Sequence, residues 1–386
     1  MTKSLIAVAA IAAILAQPLA ALAEPGLTDK EIVIGSCSVQ SGPTQELGIQ
    51  QIAGAKLYLD KINAEGGVNG RKIKLEVMDD HYEPEGAIAC FKKLAELPAF
   101  AGAFFVGTPT AAKYAPMAAV DKIPVVGLFT GAGLLRSPVN RYIFNVRASY
   151  NDEAKTQIDH FWDAGMKKIA VLYQDDAFGV AVLNGVKTAL AAHNAQPVAL
   201  GSFQRNTTKI GDAVSAVRAS NPDAVVVVGP YAPVAAVLKE AHGRGWTPVF
   251  TTVSFVGTEA LIKEAGEDAN GMVITQVVPP VNRKDLPTVA AFDKAAVQHH
   301  VTPSFVSLEG YIDAIVLVDG LKRAGKELTR DGLVNALEGM NDVAVGLGDL
   351  KVSYNADNHQ AFNTVIPTVI KGGEAKVLTD WSSLKQ

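Results

Sequence analysis

The chain has 386 residues and a formal net charge of −4, with 35 Lys and Arg against 39 Asp and Glu. A balance this mild, with no block of basic residues, excludes the electrostatic footprint of a nucleic-acid binder. Beyond the first 23 residues no stretch is long and apolar enough to cross a bilayer, so an exported, soluble product is expected.

Residues 1–23 read as a signal peptide. Lys3 supplies the positive start, Leu5 to Ala16 the apolar run, and Ala21-Leu22-Ala23 the small-x-small cleavage site, with a mature start near Glu24. About 360 residues remain, enough for two domains with their own cores. No cysteine sits directly after the cleavage site, so no lipid anchor is expected there. The two cysteines, Cys37 and Cys90, make an even count in an exported chain. A disulfide is the leading reading, with two buried thiols as the alternative.

From there strands and helices alternate. "EIVIGSCSV" is a buried strand, followed by a helix from about Leu47 to Ala64; "KIKLEVMDD" is the next strand, with a helix through Cys90. "AFAGAFFV" is the third strand, a helix from Thr110 to Asp121 follows, and "IPVVGLFT" is the fourth. Apolar runs with short loops to amphipathic segments indicate a parallel sheet covered on both faces. After "RYIFNVRASYNDE" the order restarts, from "KKIAVLYQDD" to "TEALIKEAG", as a second doubly wound unit. From Gly271 come an extended stretch, helices near Ala290–His299, Ser307–Arg323 and Arg330–Gly339, and a hairpin-like ending made of "LKVSYNADNHQ" and "AFNTVIPTVIKGG".

Catalytic and cofactor motifs are missing. "LFTGAGLLR" carries Gly131 and Gly133 but has Arg136 where a dinucleotide loop needs its third glycine. No GxxxxGK[ST], HExxH or GxSxG occurs, and no nucleophile–base–orienter set is visible. His299 and His300 are adjacent, so they do not face one another on a helix. Asp79-Asp80-His81 reads as a turn rather than a metal site, having no second set of ligands. No cofactor, metal or catalytic residue is expected.

What does recur is hydroxyls, aromatics and small residues at strand ends: Ser41, Thr108, Thr110 and Thr130 in the first unit, Tyr150, Phe178, Tyr231 and Ser254 in the second. Together they suit a small ligand held by neutral hydrogen bonds and flat apolar walls. In "GTPT" at 107–110 two readings stay open. Thr108 caps a helix with Pro109 at its first position, or the loop receives a small anion at the helix start.

Over nearly its whole mature length the chain resembles the periplasmic leucine/isoleucine/valine-binding proteins, the solute receptors of branched-chain amino-acid ABC transporters. The residues that carry the resemblance are "IVIGSCSVQSGPTQELG", "GAKLYLDKINAEGGVNGRKIKLEVMDD", "NRYIFNVRAS", "IAVLYQDDAFG" and "SLEGYIDAIVLVDGLKRAG". The resemblance implies an α/β fold of two Rossmann-like doubly wound lobes joined by a three-segment hinge. It places lobe 1 at 24–143 and 278–350 and lobe 2 at 144–277 and 351–386, with crossings near Phe144–Arg147, Val273–Val277 and Leu350–Ser353.

It also implies a monomeric periplasmic receptor that closes on a small molecule and delivers it to permease subunits in the inner membrane, without catalysis. By that resemblance Gly107, Thr108 and Thr110 with Thr130, Gly131 and Ala132 hold the ligand carboxylate, Leu47 supplies an apolar contact, and Phe178 and Tyr231 form walls. Ser254 stands where amino-acid receptors place the acid that holds the ammonium, which points to a carboxylate-bearing solute without one. Glu46 and Glu309 are the other acids that could supply that charge. The readings that compete with a transport receptor are an exported α/β hydrolase or dehydrogenase, and a sensory receptor of the same fold.

Overall fold

A computed structural model describes residues 24–384, so the signal-peptide expectation falls outside the described residues. The first part of the chain runs β1 (Glu31–Ser38), α1 (Gln45–Ala64), β2 (Lys72–Asp79), α2 (Pro84–Glu96), β3 (Ala101–Ala103), α3 (Thr108–Val120), β4 (Val125–Val126) and β5 (Ile143–Phe144). These strands form a five-stranded sheet in the order β2-β1-β3-β4-β5, every pair parallel. The "AFAGAFFV" strand is shorter than its apolar run, because Phe104 adopts a φ of 61° and the ladder ends there.

The second part runs α4 (Tyr150–Asp163), β6 (Ile169–Gln174), α5 (Ala177–Ala192), β7 (Leu200–Phe203), α6 (Gly211–Arg218), β8 (Ala224–Val228), α7 (Tyr231–Gly243), β9 (Val249–Thr252), α8 (Thr258–Ala265) and β10 (Val273–Gln276). The chain then adds α9 (Pro287–Gln298), α10 (Phe305–Arg323), α11 (Arg330–Glu338), β11 (Val343–Leu347), β12 (Leu350–Val352), β13 (Ile366–Lys371) and β14 (Glu374–Val377). The second sheet has the order β14-β13-β10-β9-β8-β6-β7, parallel except where β13 and β14 join antiparallel. β8, "AVVVV", is buried at every residue, as a strand covered by helices on both faces must be.

Two apolar cores follow the two sheets. One gathers residues from Ile32 to Val146 and from Val278 to Phe362; the other is built mainly from Tyr150 to Ile274 and Val369 to Trp381. The expected hairpin-like ending is corrected: β12 pairs with β11, whereas β13 pairs with β10 and β14. The crossing expected at Leu350–Ser353 therefore lies later, between Phe362 of the first core and β13. β10 belongs to the second sheet, and the chain leaves it at Val277–Val278. Two crossings lie side by side: Asn145 donates its N–H to the His359 carbonyl at 2.8 Å, and the N–H groups of Ala361 and Phe362 return to Asn145 and Val146 at 2.9 Å.

The disulfide is present, Cys37–Cys90, joining the end of β1 to α2. Asp79-Asp80-His81 is a turn, with Asp79 accepting from the N–H groups of Gln40 and His81 and from the Ser41 hydroxyl. Among the described residues no group of acids, histidines and cysteines is arranged to hold a metal ion, and no helix is long and apolar enough to cross a membrane.

Candidate functional site

In open parallel sheets the loops at the carboxyl ends of the strands gather the ligand groups. Here both sets face each other. The second core takes in Val39, Leu47, Tyr82, Val106, Phe129 and Ala132 from the first part of the chain and Val306 from α10, so the lobes are closed on a shared buried layer.

The "GTPT" loop leaves β3. Gly107, not Thr108, is the residue before the helix, and no side chain caps α3. Gly107 has a φ of 100°, and a Cβ there would stand 2.3 Å from the Tyr82 ring, so only glycine fits. Thr108 is thereby released from capping. Its hydroxyl meets that of Thr130, from the loop after β4, at 2.6 Å, both fully buried. Thr110 is different: its hydroxyl donates back to the carbonyls of Val106 and Gly107, which removes its proton from the set of free donors. The Ala132 N–H is turned onto Thr130 Oγ1 at 3.3 Å. Gly131 is pressed against Tyr150, whose N–H donates to the Gly131 carbonyl at 2.7 Å.

On the facing side, the Ser149–Asp152 capping box starts α4 and places Tyr150 at its first residue. The rings of Tyr150 and Phe178 lie 5.3 Å apart, Phe178 and Phe255 4.5 Å, Phe255 and Phe129 5.4 Å, and Phe255 and Tyr82 6.0 Å. Leu47 is buried against Gly257 of the opposite lobe. Tyr231 lies at the edge of this layer, where it also lines a groove of about 770 Å³ with Glu46, Gln50 and Lys263. A larger cavity, about 1140 Å³, opens at the amino ends of β8, β9 and β10 beside Asp223, Pro248 and Met272, away from the strand ends that meet here.

At the centre is a residue that strand-end reasoning missed. Arg147, at the first crossing, is fully buried, with its guanidinium 4.9 Å from the Phe129 ring centre and 5.9 Å from that of Tyr150. It stands 3.5 Å from Glu153 and 3.4 Å from Glu309, and Nη2 donates to the Ser254 hydroxyl. Glu153 is well satisfied: it accepts from the Ser254 N–H at 2.8 Å, the Ser254 hydroxyl at 2.9 Å and the Thr275 hydroxyl at 2.7 Å. Ser254 thus serves as a bridge between Arg147 and Glu153. Neither Nε nor Nη1 of Arg147 has a hydrogen-bond partner, and Tyr150 Oη and Glu309 Oε1 have none either.

Burial opposes the charge on Arg147, but Glu309 and then Glu153 outweigh it and raise its pKa. Burial lifts Glu309 to about 7 despite Arg147, with Glu153 adding repulsion. The Tyr150 phenol is also raised by burial, against the pull of Arg147 and the nearby Thr130 hydroxyl. Arg147, Glu153, Tyr82, Phe129 and Phe255 lie outside the expected site, while Glu309, named as an acid that could supply charge, stands beside Arg147. The one signal was "IFNVRAS", a basic residue inside a run that otherwise reads as strand.

Two doubly wound lobes with adjacent crossing segments, their strand-end loops closed on one buried layer, define a bilobal solute receptor of the type I periplasmic binding fold. The chain belongs to the periplasmic binding protein family, whose family model matches residues 31–374. A Leu/Ile/Val-binding protein of Rhizobium johnstonii is 25% identical over 347 residues, 87% of this chain and 90% of that protein. The crystal structure of a possible leucine/isoleucine/valine-binding protein from Rhodopirellula baltica is 33% identical, covers 92% of this chain and 98% of that one, and has a TM-score of 0.88. A fatty acid ABC transporter substrate-binding protein from Thermomonospora curvata, 24% identical with 92% of each chain covered, shares the fold at a TM-score of 0.81. The family is one of periplasmic, non-catalytic receptors for small molecules that serve ABC transporters of the branched-chain amino-acid type.

Proposed function

We propose that this receptor binds a small carboxylate-bearing solute that lacks an α-ammonium, holds it between the lobes, and delivers it to its permease as a monomer. The observation that carries the reading is the buried Arg147 guanidinium with two nitrogens lacking hydrogen-bond partners, beside the Thr108–Thr130 hydroxyl pair and the unpartnered Tyr150 phenol. A planar fork of N–H donors matches a carboxylate, and the contact gains strength where water is excluded. Thr108, Thr130, Tyr150 and Ser254, with the backbone at Gly107, Gly131 and Ala132, surround that end; Leu47 and Phe178 supply apolar wall, and Tyr231 the rim.

The Rhizobium johnstonii relative is named for leucine, isoleucine and valine, which share the carboxylate but add an ammonium. An ammonium is poorly served here. Glu153 is already occupied by three donors, and Glu309 Oε1, though without a hydrogen-bond partner, lies 3.4 Å from the Arg147 guanidinium, which already supplies its counter-charge.

Calorimetry on matched pairs tests the reading: leucine against 4-methylpentanoate, and tyrosine against 3-(4-hydroxyphenyl)propanoate. The deaminated member should bind the more tightly in each pair. Tighter binding of the amino acid in both pairs, or no binding by any acid, would overturn it.

A further inference from the structure

The buried layer has a second polar end. Tyr82 Oη and Gln174 Oε1 are both buried and both without a hydrogen-bond partner. Gln174 closes β6, and its amide donates to Asp176 Oδ2 at 2.6 Å, which leaves the carbonyl oxygen as the free group. Gln174 also neighbours the Tyr82 phenol closely enough to act on its titration. Tyr82 is held in place by Phe255 on one side and by the Arg205 guanidinium, 5.9 Å from its ring centre. A run of aromatic side chains links this end to Arg147: Phe129 touches the guanidinium, Phe255 touches Phe129, and Tyr82 touches Phe255.

We infer that the solute is an aryl carboxylate carrying a hydrogen-bond donor on the far side of its ring, its acid at Arg147 and its distal hydroxyl or N–H at Tyr82 and Gln174. The inference rests on the carboxylate reading above and adds two requirements to it. The first is an aromatic body. Phe129, Tyr150, Phe178 and Phe255 meet at tilted angles of 38–51°, and a flat ring can replace such contacts on both faces while an alkyl chain cannot. The second is a distal donor. Gln174 Oε1 can only accept, so an unsubstituted ring would bury that oxygen without a partner, and a site built to pair a polar group rejects a ligand that lacks it.

The test is calorimetry on the full-length mature receptor with 4-hydroxybenzoate, 4-methylbenzoate, 3-(4-hydroxyphenyl)propanoate, 3-phenylpropanoate and hexanoate. The better hydroxylated acid should bind at least tenfold more tightly than its partner without the hydroxyl. That ratio should fall several-fold in Tyr82→Phe and in Gln174→Met, while the acid without the hydroxyl keeps its wild-type affinity in Tyr82→Phe. Each variant is its own control, because a damaged fold weakens both members of a pair together. Equal affinities within both pairs, or a ratio unmoved in both variants, would overturn the inference. So would hexanoate binding as tightly as any aryl acid, a result that leaves the carboxylate reading standing. Failure of every acid would remove both.

Discussion

Replacing Arg147 with Met separates the two roles the structure gives this residue. Of the acids beside it, Glu309 needs no replacement partner: its pKa already stands at about 7, and losing the cation 3.4 Å away moves it further up, so it takes a proton at neutral pH. Glu153 keeps three hydrogen bonds but loses its counter-charge at 3.5 Å. One uncompensated buried carboxylate costs about 3 kcal/mol, the low end for a broken buried pair. At about 2–4 °C per kcal/mol for a domain of this size, melting should fall by roughly 6–12 °C. Adding Glu153→Gln should return much of that loss. Binding should respond separately. A lost charged hydrogen bond is worth about 1.5–3 kcal/mol, so acid affinity should drop roughly 10- to 150-fold, and Glu153→Gln should not restore it. Calorimetry well below the melting point of each variant, beside thermal melts, reads both effects. Acid binding at wild-type strength in Arg147→Met would refute the anion-anchor argument. Recovery of affinity in the double variant would reduce Arg147 to a structural role.

Three other outcomes are expected. Replacing Cys37 and Cys90 together by Ala opens a loop spanning 53 residues and should cost about 4 kcal/mol of stability, with ligand affinity unchanged in calorimetry and no free thiol titrating in the denatured, unreduced wild type. Arg205 reaches across the rim, donating to the Tyr82 carbonyl at 2.6 Å and pairing with Glu83, so Arg205→Ala should weaken binding about fivefold at low salt and less at high salt; affinity without salt dependence in the wild type would contradict this. Burial holds the Asp80 carboxyl up to about 7, so the folded chain keeps a proton that the unfolded chain releases near pH 4, and stability falls as pH rises between those values. Asp80→Asn should therefore melt well above wild type at pH 8 and close to it at pH 4, and an equal difference at both pH values would refute that assignment.

The parts of this protein legible in its sequence are those that local pattern decides. Apolar runs such as "AVVVV" and the strand-ending "GTPT" and "LFTG" placed both sheets and the Thr108–Thr130 pair, because a buried strand and its exit loop are contiguous in the chain. The resemblance places the third crossing at Leu350–Ser353, yet "LKV" pairs with the segment just before it, a local pairing that the resemblance alone does not show. Arg147 and Glu153 are not legible for another reason, and Glu309 is legible only as a possible charge. Each alone reads as an exposed charge on a helix or at a strand end; Arg147 and Glu153 meet at 3.5 Å where the first crossing enters α4, and Glu309 reaches Arg147 at 3.4 Å from distant α10. The α10 sequence "FVSLEGYIDAIVLVDG" has acids that look solvent-facing, but Glu309 and Asp313 are both buried beneath α1 and the crossings.

That burial bears on how a receptor avoids closing empty. In the closed layer Arg147 Nε and Nη1, Tyr150 Oη, Tyr82 Oη and Gln174 Oε1 are cut off from water without partners. Each such group costs about 1–3 kcal/mol relative to an open cleft where water reaches it. Apolar contact between Leu47, Tyr82, Phe129 and Phe255 pulls the other way, and the rim pairing of Arg205 adds little because it is partly exposed. Moving a two-state equilibrium from 1:99 to 99:1 takes about 5.5 kcal/mol of differential binding. A ligand that pairs several of these atoms supplies that much; one that only fills space does not. On the proposed reading selectivity and closure have the same source: a solute is recognised by the buried groups it satisfies, and satisfying them is what makes the closed state the stable one.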